Sequence, residues 1–154
     1  MSHEIGAEAL IPNPRLAAFE PFLGEWTTTG RHPMVPGTTF HGRASFEWHE
    51  GGAFVCMRTE IDEPQIPSGI AIIGEDDDTG SLTMLYFDER TVARRYDVTL
   101  SDNVVTWSRT SPKLSQRFVV TLSADGSSMR GVGEMSRDGR EWGPDLALSF
   151  EKVR

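Results

Sequence analysis

The residues best suited to chemistry are two tyrosines and several charged side chains within strand-like segments. Alternation along these segments allows Tyr86, Tyr96 and Glu134 to face one interior, with further polar candidates at Arg58, Glu60, Arg94 and Arg117. An interior tyrosine paired with a glutamate or an arginine can orient a carbonyl group or transfer a proton. We therefore take Tyr86, Tyr96 and Glu134 as catalytic candidates for a cyclisation, isomerisation or decarboxylation. The alternative for each charged side chain is a solvated position on an outer face.

Aromatic and methionine side chains form a second set of candidates, for the apolar wall of a ligand cavity. Ligand pockets are mostly apolar with a few placed polar groups, and methionine adapts to varied shapes. The predicted ligand-binding residues are Phe46, Trp48, Met57, Arg58, Met84, Tyr86, Tyr96, Trp107, Arg117 and Phe118. Each of the apolar ones would serve equally well in a plain core. A closed barrel nevertheless favours a partly hollow interior, because small barrels often hold one ligand.

Metal ligands are poorly represented. The four histidines, His3, His32, His41 and His49, all lie in the first third of the chain. His41 and His49 lie on the face opposite Phe46 and Trp48, so we expect them to face solvent. They are also too far apart along one strand to hold a single metal ion together. The acidic turn at 76–80 lacks the bidentate glutamate of a calcium loop. We predict no metal site.

The elements that position these residues are short strands. Asn13-Pro14 is a typical helix start, followed by Leu16, Phe19 and Leu23 at helical spacing, and Pro21 ends a helix of two or three turns. Residues 23–30 then form a first strand in which Trp26 plugs one end of a barrel. Alternating apolar residues and turns rich in glycine and aspartate continue to the end of the chain. We predict an all-β fold, a roughly ten-stranded antiparallel barrel with a short N-terminal helix as a lid.

Composition limits the alternatives. The 154 residues predict a loose arm at 1–12 and a single barrel domain at 13–154. A net charge of −8 argues against nucleic acid as a partner. Cys56 is the only cysteine, so no internal disulfide forms. Without a signal peptide or a membrane-length apolar run, we expect a cytoplasmic protein, a monomer or homodimer, with no membrane partner.

Several ordered motifs carry a family resemblance. Gly24-Glu25-Trp26 resembles the Gly-x-Trp signature of the calycin superfamily, which includes lipocalins, fatty-acid-binding proteins and nitrobindins. Three further stretches are similar to a bacterial lipocalin-like group without a settled activity. They are Gly74 to Gly80 with Tyr86-Phe87-Asp88, Gln116-Arg117-Phe118 with Asp125-Gly126, and Ser136 to Trp142 with Phe150-Glu151-Lys152. The resemblance covers almost the whole chain from Leu23 onward and implies an antiparallel barrel with an internal cavity.

The resemblance has two further implications. In calycins the signature tryptophan packs against a basic residue of the last strand, so Lys152 would close the barrel base on Trp26 through a cation–π contact. Nitrobindins bind heme through a histidine near the C-terminus, where this chain has none. We therefore expect no heme and no other cofactor.

The function expected from the sequence is binding of a small, largely hydrophobic molecule in the barrel cavity. The alternative is a cofactor-independent cyclase, isomerase or decarboxylase acting on a small hydrophobic biosynthetic intermediate. A buried tyrosine or carboxylate facing the cavity would favour the enzyme. A third possibility, a structural dimer, requires a solid core and a large apolar outer patch.

Overall fold

The computed structural model describes residues 8–154, which form a closed barrel of ten antiparallel strands. Each strand pairs with its neighbours in sequence, and the first strand closes the barrel against the last. The strands are β1 (Gly24–Arg31), β2 (Phe40–His49), β3 (Phe54–Ile61), β4 (Gly69–Glu75), β5 (Leu82–Asp88), β6 (Val92–Ser101), β7 (Val104–Arg109), β8 (Ser115–Leu122), β9 (Ser128–Ser136) and β10 (Gly143–Lys152). The predicted all-β fold is confirmed.

Alternation of side chains along the strands builds the interior. In β6, Tyr96 and Val98 are buried, whereas Arg95 and Asp97 between them are exposed. Successive side chains of a strand point to opposite faces, so each strand supplies every second residue to the core. His41 and His49 lie on the outer face and are exposed, as the alternation predicted.

The N-terminal helix (Pro14–Phe22) is a 3₁₀ helix. Asn13 caps it, and its side chain accepts a hydrogen bond from the Arg15 backbone N–H at 2.9 Å. Its buried residues are Leu16, Phe19 and Phe22. That spacing of three matches the three residues per turn of a 3₁₀ helix. The sequence analysis assumed α-helical spacing and took Leu23 as the third inward residue, whereas Phe22 occupies that position and Leu23 is a partly buried C-cap that packs against the core.

One end of the barrel, here called the closed end, lies under this helix. Trp26 is fully buried there, and its indole N–H donates to the Phe22 carbonyl oxygen at 3.1 Å. The Lys152 Nζ lies 5.2 Å from the centre of a Trp26 ring. These contacts join the helix, β1 and β10 into one apolar plug.

The opposite end, here called the open end, carries the connections β1–β2, β3–β4, β5–β6, β7–β8 and β9–β10. No helix within residues 8–154 is long and apolar enough to cross a membrane. Of the arm predicted at residues 1–12, the first seven residues lie outside the described part of the chain.

Candidate functional site

A cavity of about 270 Å³ occupies the open end of the barrel. Its apolar wall includes Trp107 and Phe118, whose rings stack with centres 5.0 Å apart. Met57, Leu146 and Leu148 contribute aliphatic surface. The interior is therefore divided, with a packed core at the closed end and a hollow at the open end.

Five polar side chains in the cavity wall form a continuous hydrogen-bonded series, here called the polar chain. His32 Nε2 lies 2.8 Å from Asp145 Oδ1, and Gln116 Nε2 donates to Asp145 Oδ2 at 3.0 Å. Gln116 Oε1 accepts from the Tyr96 hydroxyl at 2.8 Å and from Arg94 Nη1 at 3.1 Å. The polar chain thus links the residue that follows β1 with β6, β8 and β10 across the open end of the barrel.

The direction of every hydrogen bond in the polar chain follows from chemistry. An ionised Asp145 only accepts and Arg94 only donates, so the Gln116 amide must turn its NH₂ group to Asp145 and its oxygen to Arg94. The Met34 backbone N–H donates to His32 Nδ1 at 3.0 Å. His32 Nε2 therefore carries the imidazole hydrogen, and this N–H donates a hydrogen bond to Asp145. Each member holds its neighbour in one orientation.

A β-bulge places Asp145 in the cavity. On β10, Pro144 pairs with Glu134 and Ala147 pairs with Val132, so Asp145 and Leu146 together face the single residue Gly133. A bulge of this kind redirects a side chain. Without it, Asp145 would point outward, as the exposed Ala147 does. A Cβ on Gly133 would lie 2.7 Å from the Leu146 carbonyl oxygen, so the bulge depends on glycine at that position.

Tyr86, Asp88 and Arg90 form a second polar cluster beside the cavity. The Tyr86 hydroxyl donates to Asp88 Oδ2 at 2.7 Å, and Arg90 Nη2 lies 2.7 Å from the same oxygen. The Asp88 side chain is completely covered. Burial acts to raise the pKa of Asp88, but the hydrogen bonds from Arg90 and Tyr86 outweigh burial and hold that pKa below its usual value.

Both tyrosines are held in the protonated form. Burial, reinforced by the hydrogen bond to Asp88, raises the pKa of Tyr86 well above its ordinary value. Burial also raises the pKa of Tyr96, although the Arg94 guanidinium opposes the shift. The two rings meet edge to face with centres 6.2 Å apart. At neutral pH the tyrosines are therefore hydrogen-bonding groups and not bases.

The cavity brings together part of the predicted ligand-binding set. Met57, Tyr86, Tyr96, Trp107, Arg117 and Phe118 border it. Arg117 does so while its guanidinium pairs with Glu134 at 2.8 Å and covers the Trp142 ring at 4.8 Å.

The remaining predicted residues lie elsewhere. Phe46 and Met84 are buried in the packed core, and Trp48 packs against that core. Arg58 is on the outer face, where Nη1 lies 3.6 Å from Glu47 Oε2. Glu134 is half-exposed in its pair with Arg117, so it does not join the tyrosines. The expectation of an interior Arg58 and Glu134 is therefore wrong, because it is the neighbouring residues Met57 and Met135 that face the cavity.

Sequence reasoning did not assign three members of the polar chain. Gln116 was detectable, because it shares the inward parity of Phe118 on β8. His32 follows the inward series of Trp26, Thr28 and Gly30 by one more step of two, just beyond the end of β1. Asp145 was not detectable, because the β-bulge in β10 turns inward a residue that simple alternation would place on the outer face.

Heme does not fit the histidines of the described residues. His32 borders the cavity, whereas His41 and His49 are exposed on the outer face. The Met34 N–H occupies one ring nitrogen of His32 and Asp145 the other. Neither nitrogen is free to bind iron, so we derive no heme chemistry.

Comparison with known proteins supports the fold. No protein-family model matches the chain, and no curated protein matches its sequence. Rv2717c from M. tuberculosis is similar in structure, with a TM-score of 0.65 and 15% identity over 92% of this chain and 98% of that protein. A protein of unknown function of the DUF3598 family from Nostoc punctiforme gives a TM-score of 0.58 at 14% identity, covering 86% of this chain and 48% of that one. At these identities the likeness shows the barrel fold.

Proposed function

We propose that this protein binds a small, largely hydrophobic molecule in the cavity at the open end of the barrel. The observation that carries the proposal is the cavity itself, an apolar hollow with one ordered polar wall. That combination is typical of small-molecule sites, in which apolar surface supplies affinity and a few fixed polar groups orient the ligand.

Size and polarity narrow the ligand. A volume of about 270 Å³ lies just under the range of ~300–1,000 Å³ that is usual for ligand pockets. A compact molecule of up to three rings suits this volume. The guanidinium of Arg94 favours a molecule with a hydrogen-bond acceptor at one end, because it carries five N–H groups, of which Nη1 donates to Gln116 among the described residues.

The same proposal extends to the family and the setting. We propose a calycin-type barrel, supported by the Gly24-Glu25-Trp26 motif and the position of Lys152 over the Trp26 ring. We also propose a cytoplasmic protein that acts as a monomer or homodimer; the single cysteine, which cannot form an internal disulfide, is consistent with the reducing compartment.

Binding can be tested with the dye N-phenyl-1-naphthylamine, whose fluorescence rises in apolar surroundings, and with native mass spectrometry of the protein purified from its own host. Ala44 is buried and lines the cavity, whereas Ala147 is exposed on the outer face of β10. We expect saturable dye binding that Ala44→Leu weakens at least tenfold and Ala147→Leu leaves unchanged. Equal dye binding by both variants, with a bare native mass, would contradict the proposal.

A second candidate function, a cofactor-independent enzyme, is favoured by one specific observation. The polar chain places a carboxylate, an arginine and a tyrosine in the wall of an apolar cavity with their orientations fixed. Binding alone needs orientation of the ligand, whereas a fixed carboxylate facing an apolar hollow can also transfer a proton.

A further inference from the structure

Asp145 is the one carboxylate among the described residues that borders the cavity. The bulge in β10 directs it inward, and His32 and Gln116 each donate one hydrogen bond to a different oxygen. A carboxylate offers about four acceptor positions. The two held by the protein fix the plane of the group, and the remaining ones can meet a ligand. This is the geometry of a positioned base.

Arg94 supplies the complementary group on the other side of Gln116. Its Nη1 donates to Gln116 Oε1 at 3.1 Å, and no carboxylate of residues 8–154 lies within ion-pair distance of it. Among these residues, no carboxylate therefore balances the positive charge of Arg94, and its remaining N–H groups can donate to a ligand. Gln116 thus separates an acceptor, Asp145, from a donor, Arg94, by the length of one amide side chain.

We propose that Asp145 is a catalytic general base that removes a proton from carbon in a small, uncharged, β,γ-unsaturated carbonyl compound, and that Arg94 stabilises the resulting enolate oxygen. The proposal rests on the proposed function, since the substrate must first occupy the cavity. The C–H bond breaks and its electron pair forms a carbon–carbon double bond, while the carbonyl π pair moves to oxygen. Asp145 holds the proton and returns it to another carbon of the conjugated enolate, so an isomer forms without a co-reactant.

The surroundings suit this step. Asp145 lies in a cavity wall that is largely apolar, and His32 and Gln116 hold both of its oxygens in fixed positions from which a substrate proton can be accepted. A fixed positive donor where negative charge develops lowers the barrier of such reactions. His32 does not contact the substrate in this scheme. It is a positioning residue, because its own ring is fixed between Met34 and Asp145.

The test uses 5-nitro-1,2-benzisoxazole, a flat carbon acid with a coloured product. A base removes its C3 proton, the released electron pair forms the nitrile, and the N–O bond breaks to give the nitrophenolate. We expect saturable turnover by the wild-type protein, reduced at least tenfold in Asp145→Asn. Asp97→Asn is the matched control, since Asp97 is exposed on the outer face of β6, and it should retain wild-type turnover.

His32 variants separate positioning from packing. We expect His32→Ala to lower kcat at least fivefold with KM nearly unchanged, and His32→Gln, whose amide N–H can reach Asp145, to recover most of that loss. If both variants lose activity equally through KM, His32 has no positioning role. Circular dichroism of each variant identifies one that fails to fold. Should Asp145→Asn be such a variant, loss of turnover in the cavity-filling Ala44→Leu decides whether the reaction occurs in the cavity.

Displacement of N-phenyl-1-naphthylamine by the benzisoxazole distinguishes failure of the inference from failure of the proposed function. Displacement without turnover above that of Asp145→Asn overturns Asp145 as a base and leaves ligand binding intact. A dye that binds but is not displaced also overturns the inference, because the proposed substrate has the size and polarity of the benzisoxazole. A dye that never binds overturns both.

Discussion

The two ends of the barrel use the same strands for opposite purposes. At the closed end, Leu16, Phe19, Phe22 and Trp26 are each no more than 1% exposed and form a packed apolar cluster. At the open end the strands enclose a cavity of about 270 Å³ and a series of hydrogen-bonded polar groups. Packing is therefore concentrated at the closed end, and the open end remains hollow.

The energetic difference follows from the interactions involved. Burial of apolar surface contributes about 25 cal/mol per Å², so a large aromatic side chain stabilises the fold by several kcal/mol. A hydrogen bond contributes a net ~0.5–1.5 kcal/mol, because the unfolded groups bond to water. The polar chain therefore adds orientation more than stability. Changes at the closed end should unfold the protein, and changes at the open end should mainly alter binding.

The largest effect is expected from Trp26→Ala. The substitution removes a fully buried ring, its hydrogen bond to Phe22 and its contact with Lys152. We expect a loss of about 3–5 kcal/mol in the free energy of unfolding, typical of large aromatic truncations in cores. Urea denaturation followed by circular dichroism measures it.

Trp142→Ala is the matched control at the open end. Trp142 is 38% exposed and its ring is covered by Arg117. Its removal should cost about 1 kcal/mol, the size of an exposed cation–π contact. If the two tryptophans proved equally costly to remove, stability would not be concentrated at the closed end.

A smaller effect is expected from Gly133→Ala, which tests the bulge at the open end. The new Cβ would lie 2.7 Å from the Leu146 carbonyl oxygen and 3.0 Å from Phe118 Cδ1. Relief of that overlap should cost about 1–3 kcal/mol of stability. It should also weaken dye binding, because Asp145 shares the bulge with Leu146.

Gly143→Ala provides the comparison for this prediction, since a Cβ there meets nothing within 4 Å. Its stability and dye affinity should match those of the wild type. Unchanged dye binding in Gly133→Ala would show that the bulge does not determine the cavity wall.

We expect the Asp88 carboxylate to contribute about 1 kcal/mol to the free energy of unfolding, the net contribution of a hydrogen bond, and to lose this contribution in acid. Folding lowers the pKa of Asp88, although burial opposes the shift, so its contribution is complete above the unfolded pKa of about 3.9. It is lost as pH falls through the lower folded value. Urea midpoints of wild type and Asp88→Asn from pH 7 to pH 2.5 should therefore converge only at the acid end. If the difference in urea midpoint between the two proteins stayed constant from pH 7 to pH 2.5, the charge of the Asp88 carboxylate would be ruled out as the source of that difference.

The barrel was predictable because its signals are local and repeated. Alternation in β6 and the glycine and aspartate turns each specify a piece of antiparallel sheet, and together they give all ten strands. The helix was predicted in place but not in type. A spacing of three residues between Leu16, Phe19 and Phe22 was available in the sequence, but α-helical spacing was assumed.

The site was less predictable because one bulge defines it. Strand parity correctly directs Tyr86 and Tyr96 inward, but the same rule directs Asp145 outward. The extra residue in β10 leaves no mark in the sequence apart from Gly133 on the partner strand, and glycine is common here, at 15 residues. The polar chain also joins His32, just after β1, with residues of three other strands, and such contacts depend on the register of the closed barrel.

The smallest effect on stability, and the sharpest test of the open end, is the titration of tyrosine. The chain has two tyrosines, Tyr86 and Tyr96, and both border the cavity, so phenolate absorbance at 295 nm reports on this end alone. Burial raises the pKa of each, so the native protein should gain little phenolate near pH 10, where the urea-unfolded chain titrates. Tyr86→Phe leaves Tyr96 as the single signal, which should appear at lower pH than that of Tyr86 in Tyr96→Phe, because the Arg94 guanidinium favours the Tyr96 phenolate. A native titration curve that overlays the unfolded one would mean that water fills the open end. The two ends would then differ because one is packed with side chains and the other is filled with solvent.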